Sequence, residues 1–265
     1  MKAKKSLGQH FLTSTKALSQ IIEAADPNAG DIVLEIGPGK GVLTKELIHC
    51  AGKVIAVEKD EDMISFLQDA FAHAIENGQL DIIEGDILKF NPELLRFYEN
   101  LTYKLVANIP YYITGAIIEK FLSAVYQPEQ MVLLMQKEVA ERIVAKDKKE
   151  SVLSIAVKAY GMPKLIAKVP RGAFSPAPKV DSAILKIENI SRTFFDDCDE
   201  TTFFSVLKAV FGKKRKQIGG SLGEFLNNKE RAVTALEKVK IQLKARPEDL
   251  TLSDWKKLVQ TLGTL

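Results

Sequence analysis

The sequence predicts an α/β fold, a mostly parallel sheet with helices on both faces, followed by a small all-α domain. Three observations carry that prediction. From Asp31 onward, short runs of β-branched and aliphatic residues alternate with helix-length segments, the order of a βαβ series. A glycine-rich stretch, Glu35-Ile36-Gly37-Pro38-Gly39-Lys40-Gly41, falls where the first run gives way to the first of these helices. Beyond about residue 191 the strand-like runs stop and the pattern is helical.

The first five strand runs are DIVLEI (31–36), KVIAVE (53–58), LDIIEG (80–85), YKLVAN (103–108) and QMVLLM (130–135). Most are near-continuous Val, Ile and Leu, as expected of strands covered on both faces. Helices are expected to begin near Gly41, near Asp60 (an N-cap residue) and near Thr114. Right-handed crossovers then bring the C-terminal ends of the strands to one edge, where ligands bind. After Lys137 a helix carrying Glu138, Glu141 and Arg142 leads into the polar stretch KDKKES (146–151), an expected loop. Two further runs, KLIAKV (164–169) and SAILKI (182–187), bring the strands to seven. The proline-rich PRGAFSPAPKVD between them is expected to be irregular. Four helical segments follow, TFFSVLKAVF, SLGEFLN, ERAVTALEKV and SDWKKLVQTL. The expected domains are therefore 1–190 and 191–265.

Composition narrows the class. The chain has 265 residues, 46% hydrophobic and 27% charged, values ordinary for a soluble globular protein. No apolar stretch approaches the roughly 18–20 residues that span a bilayer. The basic N-terminus MKAKKSLGQH is not followed by an apolar segment, so no secretory signal is expected and the cytoplasm is the default location. Cys50 and Cys198 are the only cysteines and lack metal-ligand spacing; neither a disulfide framework nor a metal site is expected. Net charge is +3, unevenly spread: residues 191–265 hold 14 Lys+Arg against 10 Asp+Glu, and residues 1–190 hold 23 against 24. The densest cluster is Lys213-Lys214-Arg215-Lys216, which reads either as contacts to an anionic partner or as a solvated helix face.

A strand, a glycine-rich turn and a helix in succession form a cofactor cradle. This loop reads G-x-G-x-G rather than the dinucleotide G-x-G-x-x-G, and it lacks the G-K-[ST] of a phosphate loop. Glu58 ends the second strand, where a carboxylate can accept from two ribose hydroxyls. Asp86 follows the third strand, where an acid can accept from an adenine amine. Each alone would read as a loop acid; acids and glycines at three consecutive strand ends point together to a cofactor site that includes Gly37, Gly39, Gly41, Glu58, Lys59, Asp86 and Ile87.

Asn108-Ile109-Pro110-Tyr111 ends the fourth strand. Asn-x-Pro is a common strand exit, but chemistry offers a sharper reading. The exocyclic amine of adenine is a poor nucleophile because its lone pair is delocalised into the ring. An Asn oxygen and a nearby main-chain carbonyl, each accepting one N–H, localise that pair on nitrogen. Pro110 removes a competing donor and fixes the turn, and Tyr111 can stack on a flipped base.

The E-x-G-x-G-x-G loop resembles motif I of Rossmann-like class I S-adenosylmethionine methyltransferases, whose sheets have seven mostly parallel strands. Asn-Ile-Pro-Tyr resembles the amino-methyltransferase motif in its N-[IL]-P-Y form, that of rRNA adenine N6,N6-dimethyltransferases. Leu7-Gly8-Gln9-His10-Phe11-Leu12 is similar to the L-G-Q-[NH]-F-L opening of the KsgA (RsmA) family. Met135-Gln136-Lys137-Glu138-Val139-Ala140, the segment from Phe174 to Ser182 and the segment from Phe211 to Leu222 resemble further runs of that family. The resemblance implies that Gln9, His10 and Leu12, with Asn108, touch S-adenosylmethionine, although His10 alone would read as an exposed tail histidine. It implies that Phe174, otherwise as readily a core residue, clamps the target adenine opposite Tyr111, giving Asn108, Pro110, Tyr111 and Phe174 as the catalytic group. It moves Lys213, Lys214, Arg215 and Lys216 towards RNA phosphate contact. Lys214 stands where Arg is usual in the family, and Gly219-Gly220 interrupts the helical pattern at about 1 kcal/mol per glycine.

The implied reaction is dimethylation of two adjacent adenines near the 3′ end of small-subunit rRNA, within an assembling 30S-type particle, by a monomeric enzyme. Two alternatives share much of the pattern. One is a large-subunit rRNA dimethylase conferring antibiotic resistance. The other is a non-catalytic ribosome-assembly factor on the same fold.

Overall fold

A computed structural model describes residues 8–98, 102–213 and 216–263. In chain order its elements are β1 (Phe11–Leu12), α1 (Thr15–Ala25), β2 (Ile32–Ile36), α2 (Val42–Cys50), β3 (Lys53–Glu58), α3 (Glu61–Ala70), α4 (Ala72–Glu76), β4 (Leu80–Glu84), β5 (Lys104–Asn108), α5 (Thr114–Leu122) and β6 (Gln130–Gln136). They continue as α6 (Lys137–Ile143), α7 (Val152–Tyr160), β7 (Met162–Val169), β8 (Phe174–Ser175), β9 (Ser182–Glu188), α8 (Glu200–Phe211), α9 (Ile218–Phe225), α10 (Lys229–Lys238) and α11 (Leu252–Leu262).

The seven expected runs form one sheet, in the order β4-β3-β2-β5-β6-β9-β7. The first five strands of that order are mutually parallel; β9 runs antiparallel to both β6 and β7. All five residues of β2 are buried, the consequence of lying between two strands and beneath helices on both faces. By contrast β7 pairs only with β9 and alternates exposed with half-buried residues. Pro163, which lacks an N–H for a ladder, sits on this edge strand, where none is required of it.

Helices start where the side chains can cap them. Ser14 accepts from the Ala17 N–H and Asp60 from the Asp62 N–H, opening α1 and α3, so two of the orphan donors at these helix ends are satisfied. Helix α1, outside the periodicity read from the sequence, buries Ala17, Leu18, Ile21, Ala24 and Ala25 in one cluster with Val106, Val132 and Ile184 of the sheet. The segment expected to be irregular, PRGAFSPAPKVD, contains β8, which pairs antiparallel with β1 through Phe11↔Ser175 and Leu12↔Phe174.

The chain divides into two compact units. One comprises Met1–Ala140 and Met162–Ile190, the other Glu141–Gly161 and Ser191–Leu265. The sequence reading assigned 141–161 to the first domain; the structure assigns it to the second. The reason lies in α7, which contributes Ile155 and Ala159, one helical turn apart, to the core formed by Phe203, Leu207, Leu236 and Trp255. Apolar periodicity identifies a buried face but not the partner that buries it.

Within the second unit the paired glycines have a packing role. A Cβ on Gly219 would lie 3.1 Å from the Leu243 carbonyl oxygen. The N–H groups of Ile218 and Gly219 donate to the carbonyls of Ala245 and Leu243 at 2.9 and 3.1 Å. The close approach therefore satisfies two donors at the start of α9, offsetting the propensity cost of glycine there.

Candidate active site

A cavity of about 200 Å³ opens at the C-terminal ends of the parallel strands in the first unit. Four consecutive strand ends of the sheet supply its wall: Gly37 after β2, Glu58 on β3, Asp86 after β4 and Asn108 on β5. Parallel strands place these ends side by side, which is why residues some 20 to 30 positions apart in sequence line one pocket.

The glycine loop is tied to β3. Gly39 donates its N–H to Glu58 Oε2 at 3.0 Å, and Lys59 and Asp60 donate theirs to Glu58 Oε1 at 2.8 and 2.9 Å. Glu58 thus holds the shape of the cradle as well as lining it. Gly39, at φ +55°, is where a Cβ would press on the Phe11 ring at 3.1 Å. Gly41 differs from expectation: it is not among the cavity-lining residues. It adopts φ +70°, and a Cβ there would collide with the ring of Phe71. This third glycine serves the packing of the helix, while Gly37 and Gly39 line the cavity.

Glu35 went unnoticed in the sequence except as the first letter of the loop motif. It is 1% exposed, lines the cavity, and its Oε2 has no hydrogen-bond partner. Burial, with the nearby charge of Glu58 adding to it, pushes its carboxyl up to about 8, since a low-dielectric site disfavours the charged form. Thr44, whose hydroxyl is also buried without a partner, acts against that rise, and the Glu35 oxygen left over can meet a polar group of a ligand.

Asp86 and Lys59 pair at 2.9 Å, and Asp86 Oδ1 accepts from the Leu88 N–H at 3.0 Å. The hydrogen bond from Lys59, then that from Leu88, holds the Asp86 carboxyl below the usual carboxylate range. An ionised acceptor is thereby kept at the rim, beside Ile87.

The segment carrying Gln9, His10 and Leu12 crosses the site. Gln9 Nε2 donates to Asp60 Oδ2 at 2.9 Å, and His10 Nδ1 lies 2.8 Å from the Pro176 carbonyl. Thr13 donates both its N–H and its hydroxyl to the Ala173 carbonyl, at 2.8 and 3.0 Å. Leu12 is buried, and all three expected residues line the cavity; Leu7 lies outside the described residues. Asp60, which anchors Gln9 while capping α3, was legible in the sequence only as a helix cap.

Asn108 Nδ2 donates to the His10 carbonyl at 3.1 Å. The amide is planar, so this bond fixes its orientation and leaves Oδ1 as the acceptor. Pro110 and Tyr111 follow on the cavity wall. The Tyr111 hydroxyl pairs with the Ser182 hydroxyl at 2.7 Å, and burial raises its pKa. Ser182, fully buried at the start of β9, was not singled out in the sequence; it is the last residue of the segment beginning at Phe174. Phe174 is 5% exposed and both lines the cavity and belongs to the core, so the two readings of it are compatible.

The basic cluster lies in the second unit. Lys213 and Lys216 both pair with Glu224, the former at 3.4 Å; Lys214 and Arg215 lie outside the described residues. Among the described residues no group of His, Cys, Asp and Glu could hold a metal ion, and no helix is long and apolar enough to cross a membrane.

Known proteins resemble this chain over nearly its whole length. The family model described as ribosomal RNA adenine dimethylase matches residues 1–263. The chain is 45% identical over 259 residues to Ribosomal RNA small subunit methyltransferase A of Dehalococcoides mccartyi, covering 97% of this chain and 88% of the relative. Its fold is similar to that of a dimethyladenosine transferase from Plasmodium falciparum, with a TM-score of 0.78 and 29% identity over 94% of this chain and 96% of that one. The 23S rRNA methyltransferase ErmE is also similar, with a TM-score of 0.75 and 26% identity over 95% and 99% of the two chains. On this match across nearly the whole sequence, the chain belongs to the ribosomal RNA adenine dimethylase family, the KsgA family its motifs resemble, and is an rRNA adenine methyltransferase.

Proposed function

We propose that the protein transfers two methyl groups from S-adenosylmethionine to N6 of each of two adjacent adenines near the 3′ end of small-subunit rRNA. It acts on an assembling small-subunit particle, as a monomer in the cytoplasm. The observation that carries the chemistry is the fixed amide of Asn108, whose Nδ2 is committed to His10 and whose Oδ1 is thereby left to accept an N–H of the substrate amine. That acceptance draws the N6 lone pair out of conjugation and orients it. The cavity is lined by aromatic Tyr111 and Phe174, and stacking between such faces holds an unpaired base.

The donor set suits S-adenosylmethionine. Glu58 and the ionised Asp86 offer acceptors for ribose hydroxyls and the adenine amine, Gly37 and Gly39 allow close backbone approach, and the unpartnered Glu35 oxygen is available to a donor of the amino-acid end. When bound, this cofactor would supply an electrophilic methyl group to the N6 lone pair, leaving as the neutral thioether, and the methylated amine would shed its proton to water. No strong general base is needed, because the alkylated nitrogen is acidic.

The small-subunit target is favoured by the 45% identity to a small-subunit enzyme, against 26% to a 23S enzyme. The test is mass spectrometry of rRNA adenines from cells with and without the gene, alongside methylation of assembling small subunits and naked large-subunit RNA in vitro. Dimethyladenosine in small-subunit rRNA that disappears with the gene is the expected result. Turnover on large-subunit RNA alone would overturn the assignment.

A further inference from the structure

Resting on the methyl-transfer reading above, we infer that His10 is a positioning residue, through which the segment crossing the cavity sets the orientation of the Asn108 amide. The resemblance makes His10 a cofactor contact; the structure gives it three other engagements. Its main-chain carbonyl accepts from Asn108 Nδ2 at 3.1 Å. Its ring Nδ1 lies 2.8 Å from the Pro176 carbonyl, and its ring stacks on Tyr111 with centroids 6.0 Å apart and planes 25° apart. His10 therefore bridges the Asn108–Tyr111 turn and the segment carrying Phe174.

The consequence is chemical. An Asn side chain can rotate by half a turn and exchange its oxygen for its NH₂, and only one orientation accepts from an amine. Solvent would leave both populated. A carbonyl opposite Nδ2 selects one, since the reversed amide would set two oxygens against each other. The ring keeps that carbonyl in place through its contacts with the Pro176 carbonyl and Tyr111, while Gln9 on Asp60, Thr13 on Ala173 and the β1–β8 ladder hold only the chain on either side. Such a device also distinguishes asparagine from aspartate at this position. An aspartate has two oxygens able to accept and a charge that would favour the developing cation on N6. Here one of those oxygens would face the His10 carbonyl with no proton between them.

The test is a double-mutant cycle on the full chain, with Asn108→Asp, His10→Ala and the two combined, read as kcat and KM for rRNA methylation and as cofactor dissociation constants by calorimetry. Residues in contact show non-additive effects. Asn108→Asp is expected to lower kcat by about 10²-fold or more, in the range seen when a positioned electrostatic partner is lost, while the cofactor dissociation constant gives the separate contribution of Asn108 to cofactor binding. His10→Ala removes the ring's bond to the Pro176 carbonyl and its stack on Tyr111 and so loosens the carbonyl, and the penalty of Asn108→Asp should shrink to about tenfold or less in that background. A purely structural His10 would lower the melting temperature and leave the penalty unchanged. Equal penalties in the two backgrounds, or an Asn108→Asp enzyme within threefold of wild type, would each overturn the inference. Wild type run alongside separates the two readings, because a wild-type protein that leaves rRNA adenines unmethylated overturns the proposed function instead.

Discussion

Leu12 and Phe174, 162 positions apart, face each other across a two-residue antiparallel ladder, and both line the cavity at the strand ends. The pairing brings two distant parts of the chain to one wall of the site. It joins the part of the chain expected to touch the cofactor to the part expected to touch the base.

The acceptor role of Asn108 makes the first prediction. Asn108→Ala should lower methyl incorporation into rRNA by about 10²–10³-fold, with the melting temperature nearly unchanged because the side chain is only half-buried. Incorporation within threefold of wild type would show that the amide oxygen is not what activates N6.

Tyr111 should separate stacking from anchoring. Tyr111→Phe keeps the ring and leaves the buried Ser182 hydroxyl without its partner, a loss of about 1–2 kcal/mol in urea unfolding. Turnover should fall by less than about fivefold, whereas Tyr111→Ala, which removes the aromatic face, should raise KM for RNA as well.

The glycines of the loop should respond differently. Gly41→Ala forces a Cβ into the Phe71 ring at a positive φ, and should destabilise by about 1–3 kcal/mol. Gly37→Ala meets nothing within 4 Å, so only backbone strain of about 1 kcal/mol applies. Its main effect should appear in calorimetric cofactor affinity, because its side faces the cavity.

Glu35 predicts a pH signature. Its carboxyl sits at about 8 in the folded chain against an ordinary value of 4.5. In that window the unfolded chain releases a proton that the folded chain keeps, so stability is lost as pH rises, by up to about 1.4 kcal/mol per pH unit. Glu35→Gln removes the titration. Its stability relative to wild type should therefore increase from pH 5 to pH 8 and then level off in cofactor-free urea unfolding. A difference independent of pH would refute the buried neutral carboxyl.

Neutralising Lys213, Lys214, Arg215 and Lys216 together should flatten the dependence of log RNA affinity on log salt, by about 0.7–0.9 for each phosphate left without its cation. Glu224→Gln, which releases the two lysines it pairs with, should strengthen RNA binding at low salt. An unchanged slope in the fourfold variant would return the cluster to a solvated surface.

Much of this was legible in the sequence because it is local. Most sheet strands announce themselves as runs of Val, Ile and Leu, and the parallel part of the topology follows from alternation with helices. The acids and glycines at the strand ends, Gly37, Gly39, Glu58, Asp86 and Asn108, stand out because a strand end is a fixed place in such a sheet. Tertiary structure alone decided what depends on a distant partner. It moved α7 to the second unit by burying Ile155 and Ala159 there. It turned Gly41 from the cavity to the Phe71 ring, gave Glu35 a neutral carboxyl, and set Ser182 beneath Tyr111. It also set the His10 carbonyl against Asn108. Periodicity and motif spacing encode a residue's own conformation and exposure; they carry no term for the atom that arrives from a hundred residues away.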